Sequence, residues 1–297
     1  MLNVGIVGCS YWSKIIIKEI NNNKKFKLTS IVCRNKKNKP KKIKNFISIE
    51  NMIESNINDC IYVAALPNVN LRIVKLVKKL KIPLILEKPL SNSKNNIEKL
   101  KKIIRDNNLL IYPNLTNYYS NTFKYLKNYL DTNYLSIKRI IIYEGNLGPF
   151  RTNINPIWDW GFHPISLIYL LFENKRFSKI SKKEIKSNNI HGRGIVTKFS
   201  FKINKKINVD IVTGNLFKNK LRKIKIKLKN KEYLECDMIK HKIKINSNVK
   251  YKGSETPISN LLNKFENSIS QKKYQESRKL IDVSGKTINF LEKFYKC

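Results

Sequence analysis

The sequence predicts an α/β chain in two parts: a doubly wound parallel sheet in residues 1–115, then an α+β region, residues 116–297, built on a large, open, mainly antiparallel sheet. Three observations carry that expectation. Up to about residue 112, short β-branched runs alternate with helical apolar patterns, which implies right-handed crossovers and a parallel sheet. The first of those runs passes through a glycine-bearing turn straight into a helix. Beyond Ile195, long segments alternate apolar with polar residues, as in an antiparallel sheet with one solvated face.

In chain order, Asn3 to Val7 reads as a strand and Ser13 to Ile20 as a helix start, followed by strands at Lys27 to Cys33, Cys60 to Leu66 and Pro83 to Leu86. Ile73, Val74, Val77 and Leu80 recur at helical spacing, as do Ile97, Leu100 and Ile104. After Leu109 to Tyr112 the rhythm changes to an amphipathic helix (Phe123, Leu126, Tyr129, Leu130) and a strand at Ile137 to Tyr143. A polar loop with Gly145 and Gly148 then leads to a helix from Pro164 to Phe172. Lys198 to Val212 and Arg222 to Leu234 are the long alternating segments, and the final forty residues are helical again. The Lys/Asn stretch from Asn35 to Asn45 suits a solvated loop or helix.

A formal net charge of +39 on 297 residues first suggests a polyanionic partner. However, Lys occurs 51 times against 9 Arg, with 43 Ile, 39 Asn and only Ala64 and Ala65 as alanines. Lys, Ile and Asn share A- and T-rich codons, so the charge reads mainly as genomic background. Arg, the better residue for phosphate and base recognition, is the scarce one. No helix-turn-helix, RNA-recognition or zinc signature is present, and the lysines do not cluster with aromatics, so no specific nucleic-acid partner is expected. No apolar run approaches the roughly 18 residues of a membrane span, and the chain enters its first strand without a charged and apolar leader. Five widely spaced cysteines (Cys9, Cys33, Cys60, Cys236, Cys297) include no CxxC pair for zinc or redox chemistry, which makes a reducing cytoplasm the natural setting.

Chemistry concentrates at a few positions. Gly5-Ile-Val-Gly-Cys-Ser-Tyr-Trp-Ser-Lys14 joins strand to helix, the context in which backbone amides at a helix N-terminus bind a pyrophosphate. Of the three fingerprint glycines only Gly8 is present; Ser10 and Ser13 occupy the other two places, and the Ser10 hydroxyl could itself donate to phosphate. The second strand ends in Arg34 instead of a carboxylate, which favours NADP(H) over NAD(H), since a guanidinium pairs with a 2′-phosphate. Glu87-Lys88-Pro89 follows an apolar strand, placing Lys88 at the C-terminal edge of the sheet, where ligands bind in open α/β folds. Trp158-Asp-Trp-Gly-Phe-His-Pro164 puts His163 at or near a helix N-cap, where the helix dipole disfavours imidazolium and leaves a neutral ring able to accept a proton. Asp159 could orient that ring or bind a substrate hydroxyl, while a purely structural role would have His163 cap the helix and the tryptophans fill core. His191 and His241 lie in polar or Lys-rich surroundings and read as surface residues, and no residue grouping has metal-ligand spacing.

In this order, the GIVGCSYWSK opening, Val63-Ala-Ala-Leu-Pro67, Ile85-Leu-Glu-Lys-Pro-Leu90 and Gly145-Asn-Leu-Gly-Pro-Phe150 leading to Trp158-Asp-Trp-Gly-Phe-His163 resemble the Gfo/Idh/MocA family of oxidoreductases over essentially the whole chain. The resemblance implies a Rossmann domain binding NAD(P) and a second domain whose open sheet mediates homodimers or homotetramers. It also implies Lys88, Asp159 and His163 as catalytic residues. Gly8, Ser10, Tyr11, Trp12, Arg34, Leu66, Pro67, Asn70, Glu87 and Lys88 would line the cofactor, and Arg151 and Asn155, with Asn153 nearby, are the polar candidates for substrate beside Lys88, Asp159 and His163. Substrates of the family are sugars, sugar nucleotides, inositols or related polyols. Ser10 and Ser13 depart from its glycines and Asn70 from the histidine of many members. A sensor that binds NAD(P) or sugar without turnover is the competing reading, kept open by the eroded glycine pattern.

Overall fold

The computed structural model describes residues 1–33, 43–152, 155–187, 194–254 and 256–295. They cluster into two units, the first comprising residues 1–116 and 258–288, the second residues 117–257 and 289–297.

The first unit holds six parallel strands: β1 (Leu2–Val7), β2 (Phe26–Val32), β3 (Lys44–Phe46), β4 (Cys60–Val63), β5 (Leu84–Leu86) and β6 (Ile111–Pro113). Their spatial order is β3-β2-β1-β4-β5-β6, so the chain reverses its direction of travel between β1 and β4, the point at which this fold opens a crevice. Every residue of β4, β5 and β6 is buried, as expected where helices cover both faces of a parallel sheet. The helices α1 (Tyr11–Asn21), α2 (Ile49–Glu54), α3 (Asn70–Val77) and α4 (Lys94–Asp106) present apolar stripes to it, with Ile97, Leu100 and Ile104 buried along α4. Ser93 starts α4 by accepting from the Asn96 amide at 3.3 Å.

Two closing helices, α8 (Pro257–Ser270) and α9 (Gln275–Glu292), were expected from the sequence to belong with the second region, yet residues 258–288 cluster with the first. Polar contacts explain the attachment. The Tyr112 hydroxyl lies 2.7 Å from Ser268 Oγ, and Ser277 Oγ donates to the Ile111 carbonyl at 2.6 Å. Both contacts tie buried helix residues to β6, and Phe265 adds an edge-on ring contact with Tyr112.

The second unit opens with α5 (Asn121–Thr132), capped by Ser120, whose hydroxyl accepts from the Phe123 amide at 3.0 Å. It is built on an eight-stranded sheet of β7 (Ile137–Leu147), β8 (Phe177–Ser187), β9 (Gly194–Ile203), β10 (Ile207–Gly214), β11 (Leu216–Leu228), β12 (Tyr233–Asp237), β13 (Lys242–Ile245) and β14 (Asn248–Lys252). The order is β14-β13-β12-β11-β7-β10-β9-β8, antiparallel throughout except where β10 runs parallel to β7. Lys198 to Val212, a single alternating segment by sequence, is a hairpin: Asn204 and Lys205 take positive φ and reverse the chain between β9 and β10. Arg222 to Leu234 likewise divides between β11 and β12, with Lys231 at positive φ. Asn and Lys gave no glycine signal for either turn. Two helices, α6 (Pro156–Trp160) and α7 (Phe162–Leu171), form within this unit; the sequence reading foresaw only the second.

On one face of the sheet, Asp210 gathers cations: Arg139 Nη2 donates to Oδ2 at 2.5 Å, Ser200 Oγ donates to Oδ1 at 2.6 Å, and Lys198 Nζ stands 3.3 Å away. Burial opposes the charge, but the hydrogen bonds from Ser200, Arg139 and Lys198 outweigh it, and the carboxyl is held below its ordinary range. A folded-state value below the unfolded one stabilises the fold above the unfolded range, and that contribution fades as pH falls through the folded value. Asp210→Asn should therefore cost about 1–2 kcal/mol at pH 7 and less at pH 3, read from urea midpoints at the two pH values; an equal cost at both would contradict the assignment.

Candidate active site

The turn after β1 depends on Gly8. Its φ of 111° is a region that L side chains avoid, and a Cβ there would stand 2.5 Å from the Ala64 carbonyl oxygen at the end of β4. The Gly8 amide donates to the Val32 carbonyl at 3.0 Å, joining the turn to the end of β2. Ser10 is the N-cap of α1 with φ −77°, an ordinary conformation, so serine replaces the expected glycine there without backbone strain. Its side chain makes no capping bond, and the first turn of α1 carries no acidic residue. Ser13, at the other lost glycine, is fully buried, and its Oγ lies 3.5 Å from the point where a Gly8 Cβ would be. That hydroxyl has no hydrogen-bond partner among the described residues. A glycine-dependent turn, an uncapped helix N-terminus and an orphaned hydroxyl behind it fit a dinucleotide phosphate.

Glu87, immediately beyond β5, is the polar hub of this edge. Its Oε1 accepts from Trp12 Nε1 at 2.5 Å, from the Tyr62 hydroxyl at 2.5 Å and from Asn114 Nδ2 at 2.8 Å. Asn114 Nδ2 also lies 2.9 Å from the Tyr62 oxygen. Burial, reinforced by the Glu87 charge, pushes the Tyr62 phenol well above its ordinary range, so it stays a donor. The Glu87 amide donates to the Val63 carbonyl at 3.1 Å, so side chain and backbone together define where the chain continues into Lys88. Lys88 is half-buried, at the C-terminal edge of the sheet where sequence reasoning put it, and joined to Pro89 by a cis peptide bond.

The remaining first-unit candidates divide. Tyr11 and Leu66 are 79% and 59% exposed, and Pro67 begins a short 3-10 turn after β4. Asn70 is buried at the start of α3; its Nδ2 donates to the Leu90 carbonyl at 3.0 Å, while its Oδ1 has no hydrogen-bond partner among the described residues. Arg34, the basis for preferring NADP(H), lies outside the described residues, as do the Lys/Asn stretch at 34–42, Asn153 and His191. The cysteines depart from expectation. Cys9, in the turn itself, forms a disulfide with Cys33, immediately after β2; a spacing of 24 residues carries no sequence signal, and only the parallel pairing of β1 with β2 brings the two together.

In the second unit, Asn155 is spent as a helix cap, its Oδ1 accepting from the Ile157 amide at 3.0 Å at the start of α6. Gly161 lets α7 begin directly after α6, because a Cβ there would stand 2.9 Å from the Ile157 carbonyl oxygen. His163 is consequently the second residue of α7, two positions past the Gly161 N-cap and not at the cap itself, and it is 8% exposed. Ser166 Oγ donates to its carbonyl at 2.9 Å. Asp159, on α6, is engaged by Arg151, whose Nη1 donates to Oδ2 at 2.9 Å. Trp158 is buried, and the indole nitrogens of Trp158 and Trp160 have no hydrogen-bond partner among the described residues. His241 is half-buried in the turn between β12 and β13, its Nδ1 3.4 Å from Thr122 Oγ1.

Sequence reasoning missed one charged pair in this unit. Glu144, on β7, is 2% exposed and its Oε1 lies 2.9 Å from Arg222 Nε on β11, a charge contact without hydrogen-bond alignment. Arg222 also reaches Asn117 Oδ1 at 3.4 Å. A lone Glu amid the β-branched residues of a strand was the available signal, since a buried carboxylate needs a cation. Among the described residues no group of three or more His, Cys, Asp or Glu could hold a metal ion, and no helix is long and apolar enough to cross a membrane.

Residues 2–115 match an oxidoreductase family with an NAD-binding Rossmann fold. No curated protein matches the chain by sequence. Among solved structures, a dehydrogenase from Clostridium difficile superposes with a TM-score of 0.81 at 18% identity, covering 98% of this chain and 99% of that one. UDP-N-acetylglucosamine 3-dehydrogenase from Acidithiobacillus ferrooxidans gives 0.78 at 11%, covering 99% and 98%, and apo scyllo-inositol dehydrogenase from Lactobacillus casei gives 0.77 at 15%, covering 99% and 95%. These likenesses establish the fold.

The Glu87 hub makes a stability prediction. Tyr62→Phe removes one donor to a carboxylate and should cost about 1.5–3 kcal/mol. Glu87→Leu should cost more, because it strands the Trp12 and Asn114 donors as well. Denaturant midpoints of the two variants test this order; a Glu87→Leu protein as stable as the parent would remove the hub.

Proposed function

From the premise that the chain, through residues 2–115, belongs to the Gfo/Idh/MocA oxidoreductase family, we propose that it is an NAD(P)-dependent dehydrogenase or reductase acting on a secondary hydroxyl or ketone of a sugar, sugar nucleotide or polyol. The observation that carries the cofactor half is the turn after β1, where Gly8, Ser10 and Ser13 offer a pyrophosphate close backbone approach at the uncapped start of α1. The substrate half is supported by two fold neighbours whose names specify a sugar nucleotide and an inositol.

When bound, the nicotinamide supplies the hydride acceptor or donor. His163 takes the proton of the substrate hydroxyl during oxidation and returns it during reduction. Lys88 hydrogen-bonds the reacting oxygen and stabilises developing alkoxide charge. Asp159, held by Arg151, meets a neighbouring substrate hydroxyl, with Arg151 the further polar group toward substrate, since the Asn155 side-chain oxygen is taken by the cap of α6. Glu87 acts on Lys88 by fixing the backbone beside it. The ordinary φ at Ser10 weakens the case for a sensor, since that case rested on the lost glycines. Assembly as a homodimer or homotetramer in the cytoplasm completes the reading.

Titration of NADPH and NADH by fluorescence, followed by turnover on a panel of nucleotide sugars and inositols, tests the proposal; cofactor binding without hydride transfer to or from any of them would support the sensor. His163→Ala and Lys88→Ala should each lose about 10²- to 10⁴-fold in kcat while cofactor binding survives. Unchanged activity in both would sink the assignment. Arg34→Ser should narrow the ratio of NADPH to NADH affinity, because only the 2′-phosphate gains from a guanidinium; a ratio equal to the parent's would end the preference for NADP(H).

A further inference from the structure

The cysteines of the described chain fall into two kinds. Cys60 and Cys236 are buried, and burial pushes both thiols far above their ordinary range, leaving them poor nucleophiles. Cys9 and Cys33 are different: they are joined, with Cα atoms 5.4 Å apart. They are also unequal in exposure. Cys9 is half-buried in the turn, whereas Cys33 is 5% exposed beneath it. An external thiolate can therefore reach one sulfur, with the other as leaving group.

Their placement gives that chemistry a consequence. Cys9 follows Gly8, in the turn that approaches the pyrophosphate, and Cys33 follows β2, where a dinucleotide's ribose is ordinarily recognised. A covalent bond between them spans from the phosphate end to the ribose end of the same ligand. The Gly8 amide already ties this turn to the Val32 carbonyl, so the fold does not need the disulfide to hold the two together. The oxidised pair removes freedom from the one turn in which two glycines of the fingerprint have been replaced by residues with side chains, Ser10 and Ser13.

We propose that Cys9 and Cys33 form a reversible dithiol–disulfide couple that sets the affinity of this turn for its dinucleotide, the dithiol form binding more tightly. The proposal rests on the reading of the first unit as the NAD(P) site. Reduction by a dithiol is balanced as two exchanges. The first thiolate attacks Cys9 Sγ, forms a mixed disulfide and expels the Cys33 thiolate, which takes up a proton; the second thiol of the reagent then closes on its own sulfur and expels Cys9. Two electrons pass to the protein and the reagent leaves as a cyclic disulfide. Oxidation by a disulfide such as oxidised glutathione runs the same exchanges backwards and releases two glutathione thiols.

The test uses the full chain in two states, reduced with dithiothreitol and oxidised with oxidised glutathione. Alkylation under denaturing conditions and mass spectrometry should find a Cys9–Cys33 cross-linked peptide in the oxidised sample and two alkylated cysteines in the reduced one. NADPH and NADH titrations should give a dissociation constant at least about 5-fold lower for the reduced protein. Cys9→Ser and Cys33→Ser should bind equally in both buffers, at the affinity of the reduced parent. A cross-link that never forms, equal dissociation constants in the two states, or redox dependence that survives in Cys9→Ser overturns the couple as a switch while leaving the cofactor reading standing. If neither state binds NADPH or NADH, the cofactor reading falls and the switch with it.

Discussion

Glu87 Oε1 accepts from Trp12, Tyr62 and Asn114, and through those donors the first turn of α1 and the ends of β4, β5 and β6 share one fixed point. A carboxylate on a buried sheet edge is costly unless its lone pairs are occupied, so each donor is held as firmly as it holds. The rest of the edge follows from that point. The turn at Gly8 can press against Ala64 because Trp12 anchors the helix that follows it, and Lys88 leaves the sheet from a residue whose side chain and amide are both engaged. Preorganisation of this kind is what the role proposed for Lys88 requires.

The second unit solves a different problem with a limited set of residues. Along β11, Lys223, Lys225 and Lys227 alternate with Ile224, Ile226 and Leu228, and the apolar members are at most 1% exposed. Lysine and the aliphatic residues, both abundant in this chain, are enough to write the period-two pattern that a half-solvated sheet needs. The large positive charge is thus accommodated by topology: lysines occupy the solvated face, and scarce acids such as Asp210 and Glu235 are placed beside cations. Where a carboxylate goes inside, as at Glu144, an arginine stands beside it, consistent with a guanidinium being a readily desolvated cation.

Much of the fold was legible because its signals are local. β1, α1, β2, α4, α5 and the closing helices lie within a few residues of where periodicity puts them, since apolar spacing directly reports which face a segment buries. The placement of Lys88 at the sheet edge and the Gly8 turn were legible for a related reason: each combines a special residue with a recognisable position at the end of a parallel strand. The hairpins hidden in Lys198 to Val212 and Arg222 to Leu234 were not, because Asn204, Lys205 and Lys231 turn the chain in a composition where Asn and Lys are everywhere. α6 escaped as well: with five residues it is too short to show a period, and its signal is the Asn155 cap followed by Pro156.

Composition and periodicity alone therefore settle the alternation of strands and helices, the parallel first sheet and the change to an antiparallel second one, because those depend on which residues bury against water. Which distant residues share a site is a matter of strand order. Tyr62, Glu87 and Asn114 end three successive strands, Cys9 and Cys33 end two others, and Glu144 meets Arg222 across a strand pair. No spacing in the chain encodes those meetings, since they arise only when parallel or antiparallel registers bring residues dozens of positions apart to within a few ångströms, where a hydrogen bond, an ion pair or a disulfide can form.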